Sequence, residues 1–206
     1  MIRKLYYFLP IFLFSFSSNS TPLTDINIKN LSQKDLDAVS KKFVLPKSNK
    51  ALDFIRSYSK EWYRLSNLEP SSLHWNQNVV VYINKNKEKY IKNHKSYLKW
   101  NEAVEEGDDT DKIVFENYSQ GISILKEGHI IHSSKYVQPA SINIMTKMEK
   151  GYDKKYGDWK FTQISNEGEI VLSGNSSNKV VLATCIQCHQ NVSERDHVFA
   201  TTNVKY

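Results

Sequence analysis

The stretch Cys185-Ile186-Gln187-Cys188-His189 lies near the C-terminus of the 206-residue chain and decides how the rest of it is interpreted. On a helical turn, two thiols separated by two residues can add to the two vinyl groups of a haem. The adjacent histidine is then placed to bind the iron through an imidazole nitrogen. The spacing therefore predicts one covalently attached haem c, held by Cys185 and Cys188, with His189 as the iron ligand.

The residues alone leave two other uses of the cysteine pair open. A zinc site could combine the pair with His129 and His132, which are also separated by two residues. A thiol redox pair is the second alternative, although such motifs usually open a helix of a βαβ unit rather than end a β-rich chain. The chain has no other cysteine, which excludes the disulfide-stapled class of secreted scaffold.

The first twenty residues have the pattern of a secretory signal peptide. Arg3 and Lys4 precede a mostly apolar run from Leu5 to Phe16, and Ser18-Asn19-Ser20 supplies small residues for cleavage. A retained membrane anchor is the alternative, but the run is shorter than the ~20 residues that span a bilayer and contains Pro10. We expect an exported, periplasmic protein with no stable membrane span after cleavage, which agrees with haem attachment outside the cytoplasm.

Composition divides the mature chain into a polar N-terminal segment, residues 21–50, with one short helix at Gln33–Ser40, and a haem domain at residues 51–206. The formal net charge is +6 and falls to +4 when Arg3 and Lys4 are removed. The lysines are scattered rather than grouped into one block, so they indicate a solvated face and no nucleic-acid partner.

Hydrophobic periodicity predicts an α+β fold, an antiparallel β-sheet with flanking helices. Apolar residues at three- and four-residue spacing from Leu52 to Leu65 indicate a helix or turn-helix segment, and a second helix, about 87–105, is expected to bury Tyr90, Ile91, His94, Tyr97 and Leu98. The expected strands are 78–84, 113–118, 121–126, 140–147 and 159–165. The last helix, 178–190, carries the cysteine motif.

Several motifs in order along the chain resemble the cytochrome P-460 family. Asp196-His197-Val198-Phe199 follows the haem motif, as in that family, and three earlier stretches match: Val80-Val81-Tyr82-Ile83, Gly121 to Glu127, and Gly157 to Phe161. The similarity covers roughly residues 58–199. It implies the same α+β fold with one covalently bound haem, and it implies a possible homodimer, because relatives are dimers.

The resemblance also assigns candidate site residues. The family's lysine that bonds to the haem edge corresponds to Lys126, although relatives called beta-type cytochromes c-prime have the fold without the bond. Catalytic members carry a carboxylate above the iron that can remove protons from hydroxylamine. Asn143, an amide, occupies the matching place in this sequence. A shifted alignment would bring Glu127 or Glu149 into that role instead.

Other side chains are candidates for the side of the haem opposite His189. Aromatic residues there could be Phe161, Trp159 or Tyr82, and Met145 or Met148 could be a sixth iron ligand, which is typical of electron carriers.

The favoured function is a haem oxidoreductase acting on hydroxylamine or nitric oxide, with Lys126 and Asn143 in its site and a soluble electron-transfer partner. The alternatives are a protein that binds or senses nitric oxide without turnover and a simple electron-transfer cytochrome. A carboxylate at the site would favour catalysis, its absence would favour binding, and a ligating methionine would favour electron transfer.

Overall fold

The computed structural model describes residues 43, 45–71, 74, 77–133, 136–201 and 204. The predicted signal peptide and the predicted helix Gln33–Ser40 lie outside these residues. Within the described ranges, no helix combines the length and the apolar character that a bilayer crossing requires.

One antiparallel sheet organises the chain, and seven strands form it within the described residues. They are β1 (Tyr63–Arg64), β2 (Glu69–Ser71), β3 (Gln77–Ile83), β4 (Ser123–Ser133), β5 (Tyr136–Lys147), β6 (Trp159–Ser165) and β7 (Ile170–Gly174). Their order is β1-β3-β4-β5-β6-β7, and β2 also pairs with β3. Every pair is antiparallel, which confirms the predicted sheet type and the α+β class.

Helical segments lie before, within and after the run of strands. A 3₁₀ helix at Lys50–Ile55 leads into the short helix α1 (Tyr58–Glu61), and α2 (Lys87–Glu106) connects β3 to β4. The C-terminal helical segment is continuous but changes type along its length. It comprises α3 (Lys179–Val181), a π-helical turn (Leu182–Ile186), α4 (Gln187–His189) and a 3₁₀ helix (Gln190–Arg195).

The two faces of the sheet bury two separate apolar cores, because successive side chains of a strand point to opposite faces. One core joins Leu125 and Ile142 of the sheet to Leu52 and Ile55 of the 3₁₀ helix that precedes α1. The other core packs Ile124 and Met145 against α2 and the C-terminal helical segment. Its buried members include Tyr90 of α2, Val181 and Ile186 of the helical segment, and Val198 just beyond that segment. The second face is the one against which the cysteine motif packs.

Most of the predicted elements are present, with boundaries that differ by a few residues. Helix α2 and strands β3, β5 and β6 are confirmed, while β4 continues to Ser133, well beyond the predicted end. The prediction that Leu98 is buried is wrong, because its side chain is 47% exposed. Asn93 is buried instead, and it lies on the inward face of α2 with Tyr90 and His94.

The predicted strand at residues 113–118 is wrong, and the segment is irregular. Side chains satisfy its backbone groups in place of a neighbouring strand. Asn93 donates to the carbonyl of Glu116 and accepts from its N–H, both at 2.8 Å, and Ser96 Oγ donates to the carbonyl of Val114. The β-forming side chains therefore lie in a coil that is held against α2.

Replacing Asn93 with alanine is predicted to release this coil. The change removes two hydrogen bonds from a largely buried site, which corresponds to about 2 kcal/mol of unfolding free energy. Urea unfolding measures the loss, and hydrogen exchange should show faster exchange of the Glu116 amide. Lys99→Ala on the exposed side of the same helix is the control and should change stability by less than about 0.5 kcal/mol. Equal stability of the two variants would contradict this account of the coil.

Candidate haem site

A cavity lies between the sheet and the C-terminal helical segment. The space between its lining residues is about 720 Å³, a volume that includes open solvent at the mouth. Apolar side chains form much of the wall: Ile124, Ile144, Met145, Phe161 and Phe199. A flat, mostly apolar molecule would therefore find apolar contacts in this cavity.

The structure brings all five of the predicted site residues to this cavity. Cys185, Cys188 and His189 line it from the helical segment, and Lys126 and Asn143 line it from the sheet. The last two are direct cross-strand partners of β4 and β5. Residues that are far apart in sequence thus form one site, as the resemblance implied.

His189 is held in one orientation and one tautomer. Its Nδ1 lies 2.7 Å from the carbonyl oxygen of His197, so this nitrogen carries the hydrogen and donates it. Burial lowers the pKa of His189 to about 4, which keeps the ring neutral near pH 7. The remaining nitrogen, Nε2, therefore has a free lone pair, which is the usual state of an iron-binding imidazole whose other nitrogen is tied to a carbonyl.

The loop that presents the His197 carbonyl is fixed by Asp196. The carboxylate accepts from Lys147 Nζ at 2.6 and 2.7 Å and from the Tyr118 N–H at 2.7 Å. The Asp196 carbonyl accepts from the indole N–H of Trp159 at 2.8 Å. Asp196 is only 5% exposed, so these bonds form in a low-dielectric environment. There a charged pair is stable only when its hydrogen-bonding groups all have partners.

A tight turn at Asp196 and His197 directs that carbonyl towards His189. Both residues have left-handed backbone angles, with φ of 53° and 63°, a conformation that aspartate and histidine tolerate better than most side chains. Gly157 also has a left-handed φ of 70°, and a Cβ there would lie 2.5 Å from Cδ2 of His197. The close packing of the turn therefore requires glycine at position 157.

The two alternatives for the cysteine pair receive no support from the geometry. His129 pairs with Glu127 at 2.9 Å and His132 contacts Gln138 at 3.1 Å, and neither lines the cavity. Among the described residues, no cluster of three or more His, Cys, Asp or Glu side chains is arranged to hold a metal ion. Burial raises the pKa of Cys185 to about 11, whereas a redox-active thiol needs a lowered pKa.

Lys126 is an amine enclosed by the cavity walls. Burial lowers its pKa to about 8, although Glu69 and Cys188 act in the opposite direction. Its Nζ lies 6.0 Å from the ring centre of Phe199. A substantial fraction of this amine is therefore neutral near pH 8, the form that can act as a nucleophile.

The other sequence candidates divide between the cavity and the rest of the fold. Phe161 and Met145 line the cavity, but Met148 does not. Tyr82 belongs to the core on the opposite face of the sheet, and Trp159 is buried beside Tyr118 and bonded to Asp196.

Neither of the two candidate carboxylates lies at the cavity. Glu127 points to the opposite face, where it pairs with His129, and Glu149 is exposed in a turn. The described residues that line the cavity include no acidic side chain.

One chemically capable residue of the cavity, His74, was not predicted from the sequence. It lies in the turn between β2 and β3, and a lone histidine in a polar loop gives no periodic or motif signal. Thr162, Thr184 and Phe199 complete the lining. Phe161 and Phe199 hold the ring of His189 edge-on, with ring centres at 5.2 and 5.1 Å.

The donor set fits a covalently attached haem. Two reduced thiols and one neutral, oriented imidazole face the same mostly apolar cavity. These are the groups that c-type attachment and axial ligation require.

Replacing Asp196 with asparagine is predicted to destabilise the loop behind His189. The change leaves the largely buried ammonium of Lys147 without its carboxylate, which typically costs about 3 kcal/mol. Urea unfolding measures the loss. Glu167→Gln, in the exposed turn between β6 and β7, is the control and should cost less than about 0.5 kcal/mol. Similar values for both variants would show that Asp196 does not fix the loop.

Comparison with models of known protein families gives a match. The family described as Cytochrome P460 matches over residues 55–200. No curated protein matches the chain.

Proposed function

The chain belongs to the cytochrome P460 family, and from the geometry of its cavity we propose that it is an exported mono-haem c-type cytochrome that binds small nitrogen compounds. One observation carries the proposal: His189, with Nδ1 tied to a carbonyl, faces the same cavity as Cys185 and Cys188. Nitric oxide is the favoured ligand, and hydroxylamine oxidation is the second candidate.

Cys185 and Cys188 would hold the cofactor through two thioether bonds. Each S–H adds across one vinyl group, so that sulfur bonds to one carbon and the hydrogen passes to the other, with no net oxidation. His189 would supply the axial nitrogen through Nε2. The haem would supply an iron centre that binds a small ligand and exchanges electrons.

The cavity favours ligand binding over hydroxylamine oxidation. Oxidation needs a base that removes protons as electrons leave. The described lining residues include no carboxylate, and His74 is a weak base because burial lowers its pKa to about 3. Asn143 cannot accept a proton near neutral pH, and its amide already donates to Ser141 Oγ at 3.1 Å. Ile124, Met145 and Phe161 would exclude water and leave room for a small, weakly polar ligand.

Electron transfer is supported by one specific feature. Met145 lines the cavity and could provide a sulfur ligand to the iron, which would make a simple electron carrier. In the two redox cases, hydroxylamine oxidation and electron transfer, electrons would pass to or from a soluble partner outside the cytoplasm. Cleavage of the predicted signal peptide and association into a homodimer form part of the same proposal.

We also propose that Lys126 can bond to the haem edge. Its amine, part of which is neutral near pH 8, lies in the cavity beside Asn143, its cross-strand neighbour. Replacing one N–H and one ring C–H by a C–N bond releases two protons and two electrons. An oxidant such as a peroxide must therefore take up the two electrons.

Haem attachment is tested by expressing the full chain, with its predicted signal peptide, in a bacterium whose periplasm carries haem-attachment machinery. Absorption spectra and a pyridine haemochrome should show haem that acidified butanone does not extract. The double change C185S/C188S should abolish retention, and His189→Ala should keep the haem but alter its spectrum and weaken ligand binding. His132→Ala, a surface histidine, should behave as wild type. Extraction of all haem from the wild type would refute the proposal.

The Lys126 bond is tested with Lys126→Leu. A bond to the ring changes the electronic structure of the haem, so the ferrous Soret band of the wild type should lie to the red of an ordinary c-type haem. The variant should lose this red shift while it keeps the thioether-bound haem. Lys99→Leu is the control. An ordinary wild-type spectrum that Lys126→Leu leaves unchanged would show that Lys126 is not bonded, and would favour ligand binding without oxidation.

A further inference from the structure

His74 is fixed at the cavity by its turn. Its N–H donates to the carbonyl of Ser71 at 3.3 Å, and its own carbonyl accepts from the Gln77 N–H at 3.1 Å. The turn joins β2 to β3, so the imidazole reaches the cavity from a different element than His189 does. Two histidines therefore line one cavity, from the sheet and from the C-terminal helical segment.

The ring of His74 is a neutral imidazole. Burial lowers its pKa to about 3, and repulsion from Lys126 and His189 acts in the same direction. A neutral ring has one nitrogen that donates and one that accepts. It can therefore either bind a metal or donate a hydrogen bond, and its surroundings decide between these two roles.

The hydrogen bonds of His74 differ from those of His189. Histidines that bind metals almost always donate their other N–H to a carbonyl or carboxylate, and His189 does so. Nδ1 of His74 is instead buried and has no hydrogen-bond partner among the described residues. Either tautomer leaves Nδ1 without a partner, but an unpaired buried N–H group is rarer in proteins than an unpaired buried acceptor. The tautomer that carries the hydrogen on Nε2 is therefore favoured.

We propose that His74 is the hydrogen-bond donor to a small ligand bound at the haem iron, with Nε2–H directed to that ligand. This inference rests on the proposed function, because it requires a haem held by Cys185, Cys188 and His189. The ligand class is a small molecule with an acceptor atom beyond the one bound to iron, as in nitric oxide.

The role follows from what the other polar side chains of the cavity would be doing. His189, the cysteine pair and Lys126 would be engaged with the haem, and Asn143 already donates to Ser141 Oγ. The remaining described polar groups are His74 and two threonines, and the rest of the wall is apolar. In such a setting a single N–H donor has a large effect, because water does not compete for the acceptor. His74 would therefore slow dissociation of a bound ligand and discriminate against ligands that offer no acceptor.

Carbon monoxide and cyanide are the probes. Infrared spectra of the reduced protein with carbon monoxide compare wild type, His74→Leu, His74→Gln and the surface control His132→Leu. A donor at the oxygen lowers the C–O stretching frequency, so His74→Leu should raise it, His74→Gln should give an intermediate value and the control should match wild type. Cyanide should dissociate from oxidised His74→Leu about tenfold faster, as expected for loss of one hydrogen bond to a polar ligand.

The wild type alone provides a further measurement, which does not depend on the folding of any variant. Its C–O frequency should shift in deuterium oxide, because the proposed donor is an exchangeable N–H. Equal frequencies in wild type and His74→Leu, or no deuterium shift, would overturn the inference. So would a six-coordinate low-spin wild type that becomes high-spin in His74→Leu, because His74 would then be an iron ligand.

Failure of the proposed function is separable from failure of this inference. If the wild type retains no covalent haem, both are wrong. If haem is retained and the carbon monoxide spectra do not depend on His74, the proposed function stands and only the role of His74 is wrong.

Discussion

The hydrogen bond from Nδ1 of His189 to the carbonyl of His197 is the constraint on which the site depends. It sets the tautomer of His189, and it requires the carbonyl of a residue eight positions later to point back at the helix. The left-handed turn at Asp196 and His197 produces that direction. Asp196 in turn is held by Lys147 at the end of β5, so the sheet determines the orientation of the imidazole.

The alternation of side chains in β4 separates two polar groups that are adjacent in sequence. Lys126 faces the cavity, whereas Glu127 faces the other core, where it pairs with His129 and raises the pKa of Tyr58 in addition to the effect of burial. Glu127 is the one carboxylate of β4, and the sheet keeps it away from the cavity. Glu127 therefore does not pair with Lys126, and the carboxylate that acts on the pKa of Lys126 is Glu69 of β2.

Helix α2 is attached to the site through cation–π contacts as well as through hydrogen bonds. The guanidinium of Arg195 lies 4.8 Å from the ring centres of both Tyr97 and Trp100 and 5.8 Å from that of Phe115. Arg195 ends the C-terminal helical segment immediately before Asp196. The same short stretch therefore contacts α2 on one side and the sheet on the other, and its position follows from both.

The sequence by itself determined the features that rest on local pattern. The spacing of Cys185, Cys188 and His189 predicted where the helical segment presents its donors, and apolar periodicity predicted α2, β3 and β6, because helices and strands repeat at different intervals. The resemblance to the cytochrome P-460 family assigned Lys126 and Asn143 to one site, and the structure shows them to be cross-strand partners. Neither result required knowledge of distant contacts.

Only the tertiary structure decided the features that depend on partners far along the chain. Residues 113–118 have strand-forming side chains, but Asn93 and Ser96 bind their backbone and leave them as coil. The short strands β1 and β2 exist because β3 lies beside them. His74 became a candidate only when its turn was placed over the cavity. In each case the deciding energy comes from a contact across many residues, which local composition does not encode.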